Sequence, residues 1–242
     1  MGVKVEDYIE VIRPYVIELF KNDSSGHDIG HLERTMELAL LIQELEGGDR
    51  IVIGIAAFLH DIHRIMQSEK SGNFVSPEES LPKVREILSH TDLPKDKIDK
   101  ICFCIKYHEH YNWNGNNVKD LDALILQDAD NLDATGAIGI GRAFSYGGAY
   151  NVSMYDDNVP LNSNSDYQEH NGIKETTIHY MYHKIFNLAN YMNTKTGKRI
   201  ARRRIKFMKR FSKEFLKEWE VKLLLKDKTF IRMRKIRNIL SL

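Results

Sequence analysis

Cysteine is nearly absent: Cys102 and Cys104 are the only two in 242 residues. Two positions apart in a periodic apolar segment, they point to different sides of a helix and are expected as buried thiols, which excludes a disulfide framework and a cysteine-built zinc site. Long apolar runs are missing as well. Without a run of about 18 apolar residues or a basic-then-apolar start, neither a membrane span nor a signal peptide is expected, and the protein is expected in the cytoplasm. The sequence also lacks a convincing strand pair, an internal repeat and a low-complexity block, which leaves an all-α class. Its 42% hydrophobic content and its length suit one globular domain over residues 1–242.

Charge of one sign is scarce in each part of the chain. The net charge of +1 conceals 18 Lys and Arg against 4 Asp and Glu from Lys195 onward, and 17 against 30 before it. A basic segment from about residue 195 is expected as a solvated helical face complementary to an acidic body, with nucleic-acid binding as the other reading.

Against these absences the helical periodicity is clear. Val3 to Phe20 is amphipathic, with a kink or split expected at Pro14. His27-Asp28-Ile29-Gly30-His31 opens a helix to about Glu46, closed by Gly47-Gly48. A helix from Ile51 carries Ile53, Ala56, Ala57 and His60 on its inner face and ends at Asp61. The polar stretch from His63 to Val75 is expected as a rim loop, and Ser76-Pro77-Glu78-Glu79 as a capped helix start. A further helix leads from Pro94 to His108, followed by a loop from Tyr111 to Asn117. One helical pattern spans Leu121 to Phe144, and a long Asp/Asn/Ser-rich loop covers Asn151 to Asn171. Helices are also expected over Lys174–Asn193 and in the basic segment, where Ile200, Phe207, Phe211, Phe215, Trp219 and Leu223 face inward. The tail Lys226–Leu242 reads as one more helix.

Three of these helices bring metal-ligand residues to inward positions: His31, then His60 with Asp61, then Asp128 or Asp130. Two imidazoles and two carboxylates make a mixed nitrogen and oxygen site that suits Mn²⁺, Fe²⁺, Co²⁺, Ni²⁺ or Zn²⁺ better than Mg²⁺ alone. An ion there makes hydroxide available at neutral pH, so hydrolysis is the natural reaction.

His27-Asp28-x-x-His31, His60-Asp61 and Gln127-Asp128-Ala129-Asp130-Asn131-Leu132-Asp133, in that order, resemble the HD-domain metal-dependent phosphohydrolases. The stretches from Gln127 to Gly148 and from Tyr180 to Trp219 are similar to a bacterial branch that includes nucleoside triphosphate pyrophosphohydrolases. The resemblance implies a helical bundle with one divalent ion, Mn²⁺ first among the candidates, held between helices by His31, His60, Asp61 and Asp130. Asp130 is preferred because Ala129-Asp130 matches the family's Ala-Asp step and because Asp130 shares the apolar face of its helix. Asp128, about 160° round that helix, is then expected as a surface acid.

Other positions are read two ways. Asp28 is either a helix N-cap or first-turn acid or, with Asp61, a catalytic residue, as a base or water-orienting group beside the ion, and Asp133 either orients a ligand or water from behind or is an exposed carboxylate. Lys184 is a phosphate contact or a surface lysine. His27 and His108 are expected to face substrate, with Glu109 and His110 solvated. Arg64 departs from the family, in which an acid is common, and is expected either to hold phosphate or to point to solvent; His63 stands where glycine is common. The implied activity is hydrolysis of (deoxy)nucleoside triphosphates to monophosphate and pyrophosphate. The alternatives are a nucleotidase or phosphodiesterase, and a non-catalytic nucleotide-sensing or RNA-binding protein. A small phosphorylated substrate is expected as partner, with neither membrane nor nucleic acid, in a monomer or homodimer.

Overall fold

The helix Arg50–Leu59 (α3) is apolar on every side, and each residue from Val52 to Leu59 is buried, as expected of a segment with no polar face to offer water. A computed structural model describes residues 4–69, 75–110, 118–159, 161 and 176–219. In it α3 packs against Val5–Phe20 (α1), Ile29–Glu46 (α2), Lys95–Tyr107 (α6) and Leu121–Asp133 (α7). Between α3 and α6 come Ile62–Glu69 (α4), a 3₁₀ turn at Pro77–Ser80 and Leu81–Leu88 (α5). After α7 follow Gly136–Ala149 (α8), Thr177–His183 (α9), Leu188–Tyr191 (α10) and Lys195–Trp219 (α11). All regular structure among the described residues is helical, and no helix there is long and apolar enough to cross a membrane.

Local signals explain the boundaries. Asp28 caps α2 by accepting from His31 N at 2.8 Å, Asp49 caps α3 and Asp120 caps α7, each satisfying amides that a helix start leaves without a partner. Gly47, at φ +89°, ends α2. Ser76 and Glu79 form the expected capping box, although the turn they open is 3₁₀ and passes into α5 at Leu81. Cys102 and Cys104 are buried free thiols, as expected.

Several expectations are corrected. Pro14 lies within α1, which is therefore not split there. The stretch after His63 is not a loop at its start but helix α4, because Ile62, Ile65 and Met66 supply a short apolar face. The single helix expected over Leu121–Phe144 is two: the chain breaks at Ala134, and Gly136 takes φ +79°, a left-handed value that glycine adopts without strain. The helix expected over Lys174–Asn193 is likewise interrupted, by a 3₁₀ turn at Ile185–Asn187. In α11 the buried stripe is Gly197, Ala201, Ile205, Met208 and Ser212; Phe207 and Trp219 are exposed, and Phe211 and Phe215 lie at the stripe's edge against Phe144. Most of its basic residues, including Arg202, Lys206, Lys209, Arg210 and Lys213, face outward. The expected loop Tyr111–Asn117, most of Asn151–Asn171 and the tail helix Lys226–Leu242 lie outside the described residues.

Candidate metal centre

The site forms where the start of α2, the end of α3, the end of α6 and the inner face of α7 meet. α2 presents His31, with His27 one turn before it on a loop that Asp23 organises by accepting from Ser25 N and His27 N at 3.0 and 3.1 Å. The C-terminal end of α3 delivers His60 and Asp61, α7 delivers Asp130, and His108 follows α6. His31, His60 and His108 are fully buried, and Asp61 is 3% exposed.

The four sequence-expected ligands come together. His31 Nε2 lies 3.2 Å from Asp61 Oδ2 and 3.5 Å from Asp130 Oδ1, and His60 Nε2 lies 3.5 Å from Asp61 Oδ1 and 3.7 Å from Asp130 Oδ1. Neither Nε2 has a hydrogen-bond partner although both are buried, a costly arrangement unless something else satisfies them. Ligands about 2.1 Å from one ion stand roughly 3.0 Å apart when octahedral and about 3.4 Å apart when tetrahedral. The observed separations run from within that range to about 0.3 Å above it and exceed most hydrogen bonds, so the residues fit a divalent cation.

The supporting contacts fix which ring nitrogen faces inward. His60 Nδ1 donates to Ala57 O at 2.8 Å, and His31 Nδ1 donates to Asp133 Oδ2 at 2.8 Å. With Nδ1 protonated, a neutral ring carries its lone pair on Nε2, as an ion requires. Asp133 is itself gripped by Arg34, at 2.9 and 3.0 Å, and by Arg142 at 3.2 Å. Burial alone would raise the Asp133 carboxyl, but hydrogen bonds from His31 and Arg34 outweigh it and hold it at about 2. Burial likewise opposes a charge on His60, yet Asp61 and Asp130 overcome it and lift the ring to about 9. Asp61 and Asp130, despite burial, are driven well below the usual carboxylate range by the imidazoles around them. The centre therefore holds a proton firmly where a cation fits.

The remaining residues divide. His27 Nδ1 bonds Asp61 Oδ2 at 2.7 Å and is partly open to solvent. Arg64 pairs with Glu109, with its Nε 3.9 Å from Asp61 Oδ1; Glu109 is thus not a solvated acid but half enclosed, and His63 with Arg64 overcomes burial to hold it at about 2. Lys184, exposed at the end of α9, lies beside Tyr180, and Tyr180 with the more distant Asp130 and Glu109 raises its ammonium. Asp28 uses one carboxylate oxygen as a cap.

Asp128 is no surface acid. It is buried and accepts from Asn193 N and Nδ2 and from Thr194 N and Oγ1 at 2.7–3.0 Å, anchoring the start of α11. Its neighbour Gln127 donates to Tyr107 O and His110 O and so fixes the end of α6. Sequence reasoning missed Arg34 and Arg142, and with them the exposed pair Tyr146 and Tyr150, whose rings lie 4.4 Å apart with Tyr146 edge-on to His27 at 6.4 Å. Arg34, one turn after His31, was the one with a findable signal.

The family model for the HD domain matches residues 28–135. The chain is 28% identical over 212 residues to an uncharacterized Bacillus subtilis (strain 168) protein, YpgQ, covering 86% of this chain and 92% of that one. Among solved structures it is similar to an HD-superfamily hydrolase from Bacillus thuringiensis, at 29% identity and TM-score 0.66 over 90% of this chain and 99% of that one. It is also similar to YpgQ in complex with ADP, at 26% identity and TM-score 0.64 over 89% and 97%.

Proposed function

We propose, from the premise that residues 28–135 are an HD domain, that this protein is a divalent-metal-dependent phosphohydrolase that cleaves (deoxy)nucleoside triphosphates to monophosphate and pyrophosphate. The observation that carries the reading is the convergence of His31 Nε2 and His60 Nε2, buried and without hydrogen bonds, on Asp61 and Asp130. An ion held by these four supplies a Lewis acid that polarises a phosphoryl oxygen and acidifies water beside it.

The chain's own residues do the rest. Asp133 keeps the His31 tautomer, and Arg34 and Arg142 keep Asp133 ionised. His27, hydrogen-bonded to Asp61 and partly exposed, is placed to take up or release a proton at Nε2. Asp28 is the second candidate for that role, through the carboxylate oxygen not used as a cap. Arg64 and Lys184 supply positive charge at the mouth for the departing pyrophosphate, while Tyr146 and Tyr150 offer an aromatic face to a base. The ADP complex of the Bacillus subtilis relative supports a nucleotide as ligand class.

The test is a screen of nucleoside and deoxynucleoside mono-, di- and triphosphates with Mn²⁺, Co²⁺, Ni²⁺ and Mg²⁺, with products resolved by chromatography. Pyrophosphate with monophosphate is the expected outcome. Orthophosphate with nucleoside would mark a nucleotidase, and no metal-stimulated turnover would remove the enzymatic reading in favour of a sensing or RNA-binding protein.

A further inference from the structure

We propose that His63, His108 and Glu109 form a second divalent-cation site adjoining the first. The proposal deepens the reading above, on which its catalytic meaning rests, whereas ion binding itself does not depend on that reading.

The geometry repeats the device seen at His60. His63 Nδ1 donates to His60 O at 3.1 Å and His108 Nδ1 donates to Ile105 O at 2.6 Å. A carbonyl only accepts, so each Nδ1 carries the proton and each neutral ring directs a lone pair through Nε2. Both rings are fully buried, and neither Nε2 has a hydrogen-bond partner. Two buried imidazole acceptors without a donor are costly to keep. A shared cation would satisfy both at once.

The third ligand is in place. Ligand atoms of His63, His108 and Glu109 all lie within 4.8 Å of one another. His63 Nε2 stands 3.6 Å from Glu109 Oε1, too far for a good hydrogen bond and close to the roughly 3.4 Å between ligands on a tetrahedral centre. Two imidazoles and one carboxylate suit Zn²⁺, Fe²⁺, Mn²⁺ or Co²⁺, and three protein ligands leave a position open to a phosphoryl oxygen.

The two sites touch. The His108 ring lies 5.2 Å from that of His60 and 5.4 Å from that of His63, and donors of His60, Asp61 and His108 also fall within 4.8 Å of one another. Neighbouring ions can serve the attacking and the leaving oxygen of an in-line displacement. The site also accounts for the two departures after the HD pair. His63 brings an imidazole where glycine is common, and Arg64 occupies Glu109 Oε1, the oxygen the ion would take. Ion and guanidinium compete for that atom, so filling the site releases Arg64 towards substrate phosphate.

The experiment is metal stoichiometry on the full chain. Protein stripped with chelator is dialysed against Mn²⁺ or Zn²⁺, and metal is counted by elemental analysis. Wild type is expected to hold about two equivalents, and His63→Leu and Glu109→Gln about one each, with helical circular dichroism unchanged. If His63→Leu does not fold, Glu109→Gln, which keeps shape and removes only charge, decides. Two equivalents in both variants, or one in wild type that Asp130→Asn removes, would overturn the second site and leave the first standing. No ion in wild type would overturn both.

Discussion

His31 and Asp133, 102 residues apart, are joined across α2 and α7 by a 2.8 Å hydrogen bond from Nδ1 to a carboxylate oxygen that Arg34 and Arg142 also hold. The bond selects the tautomer that turns Nε2 towards Asp61 and Asp130. Asp133→Asn keeps the shape but loses the charge and lets the ring reorient. It is expected to weaken Mn²⁺ binding about 10- to 100-fold, read by calorimetric titration, with helical content retained. Unchanged affinity would show that Asp133 serves the fold alone.

His60→Ala and Asp61→Ala are expected to abolish metal binding at the first site and phosphohydrolase activity together, since each removes one of four ligands. Helical content should hold, because α3 is buried by apolar contacts from Val52 to Leu59 and the ion is not what assembles a core of this size. Both variants binding metal as wild type does would refute the ligand assignment.

The raised His60 pKa sets a pH dependence. In the metal-free protein the ring is held as imidazolium up to about 9, whereas a ligand must be neutral. Each ion bound below that pH therefore displaces a proton, and affinity should rise with pH, approaching about tenfold per unit from this ring alone. The same shift works the other way on metal-free stability: a folded-state pKa above the ordinary 6.5 gives stabilisation that is complete below 6.5 and lost as pH rises through about 9. Titrations with Mn²⁺ at about pH 6 and about pH 8 in weak buffer test the linkage; no proton release, or tighter binding at the lower pH, contradicts it.

The candidate ligands were legible in part because periodicity places a polar residue on an apolar face, as at His31 and His60; the choice of Asp130 over Asp128 rested on the family resemblance at Ala129-Asp130 together with that periodicity. Residues that hold those ligands were harder to see, since their partners are distant in sequence. Asp128 looked like a surface acid because helical phase turns it away from Asp130; only the start of α11, more than sixty positions later, reveals its four hydrogen bonds. Glu109 looked solvated for the same reason, its partners His63 and Arg64 lying on another helix. The break between α7 and α8 depends on a positive φ at Gly136, which a glycine permits without announcing.

Gly197 gives a stability test away from the metal. A Cβ there would stand 2.4 Å from Asp128 Oδ2 and 2.9 Å from Thr194 Oγ1, the two groups that anchor α11. Gly197→Ala is expected to cost about 1–3 kcal/mol despite alanine's better helix propensity, because overpacking a buried polar anchor outweighs it. That corresponds to a fall in Tm of roughly 3–10 °C for a chain of this size. A Tm equal to or above that of wild type would mean the anchor yields freely.

Arg64 separates two accounts of the charge beside the HD pair. Its guanidinium is paired with Glu109 and approaches Asp61 through Nε at 3.9 Å, so it belongs to the site and is only about one-third exposed. If it moves to substrate phosphate, Arg64→Ala should raise KM or lower kcat by about tenfold to a hundredfold, the loss of one charge-assisted contact, with metal content at the first site unchanged. Arg64→Glu should be worse, because it sets a second carboxylate against Glu109 and a negative charge against the phosphates. An Arg64→Glu enzyme as active as the parent would exclude the phosphate role and point to proton transfer at this position instead. Rate profiles at several pH values then decide the matter, since a carboxylate acting as base adds a new acidic limb to kcat/KM that the parent lacks.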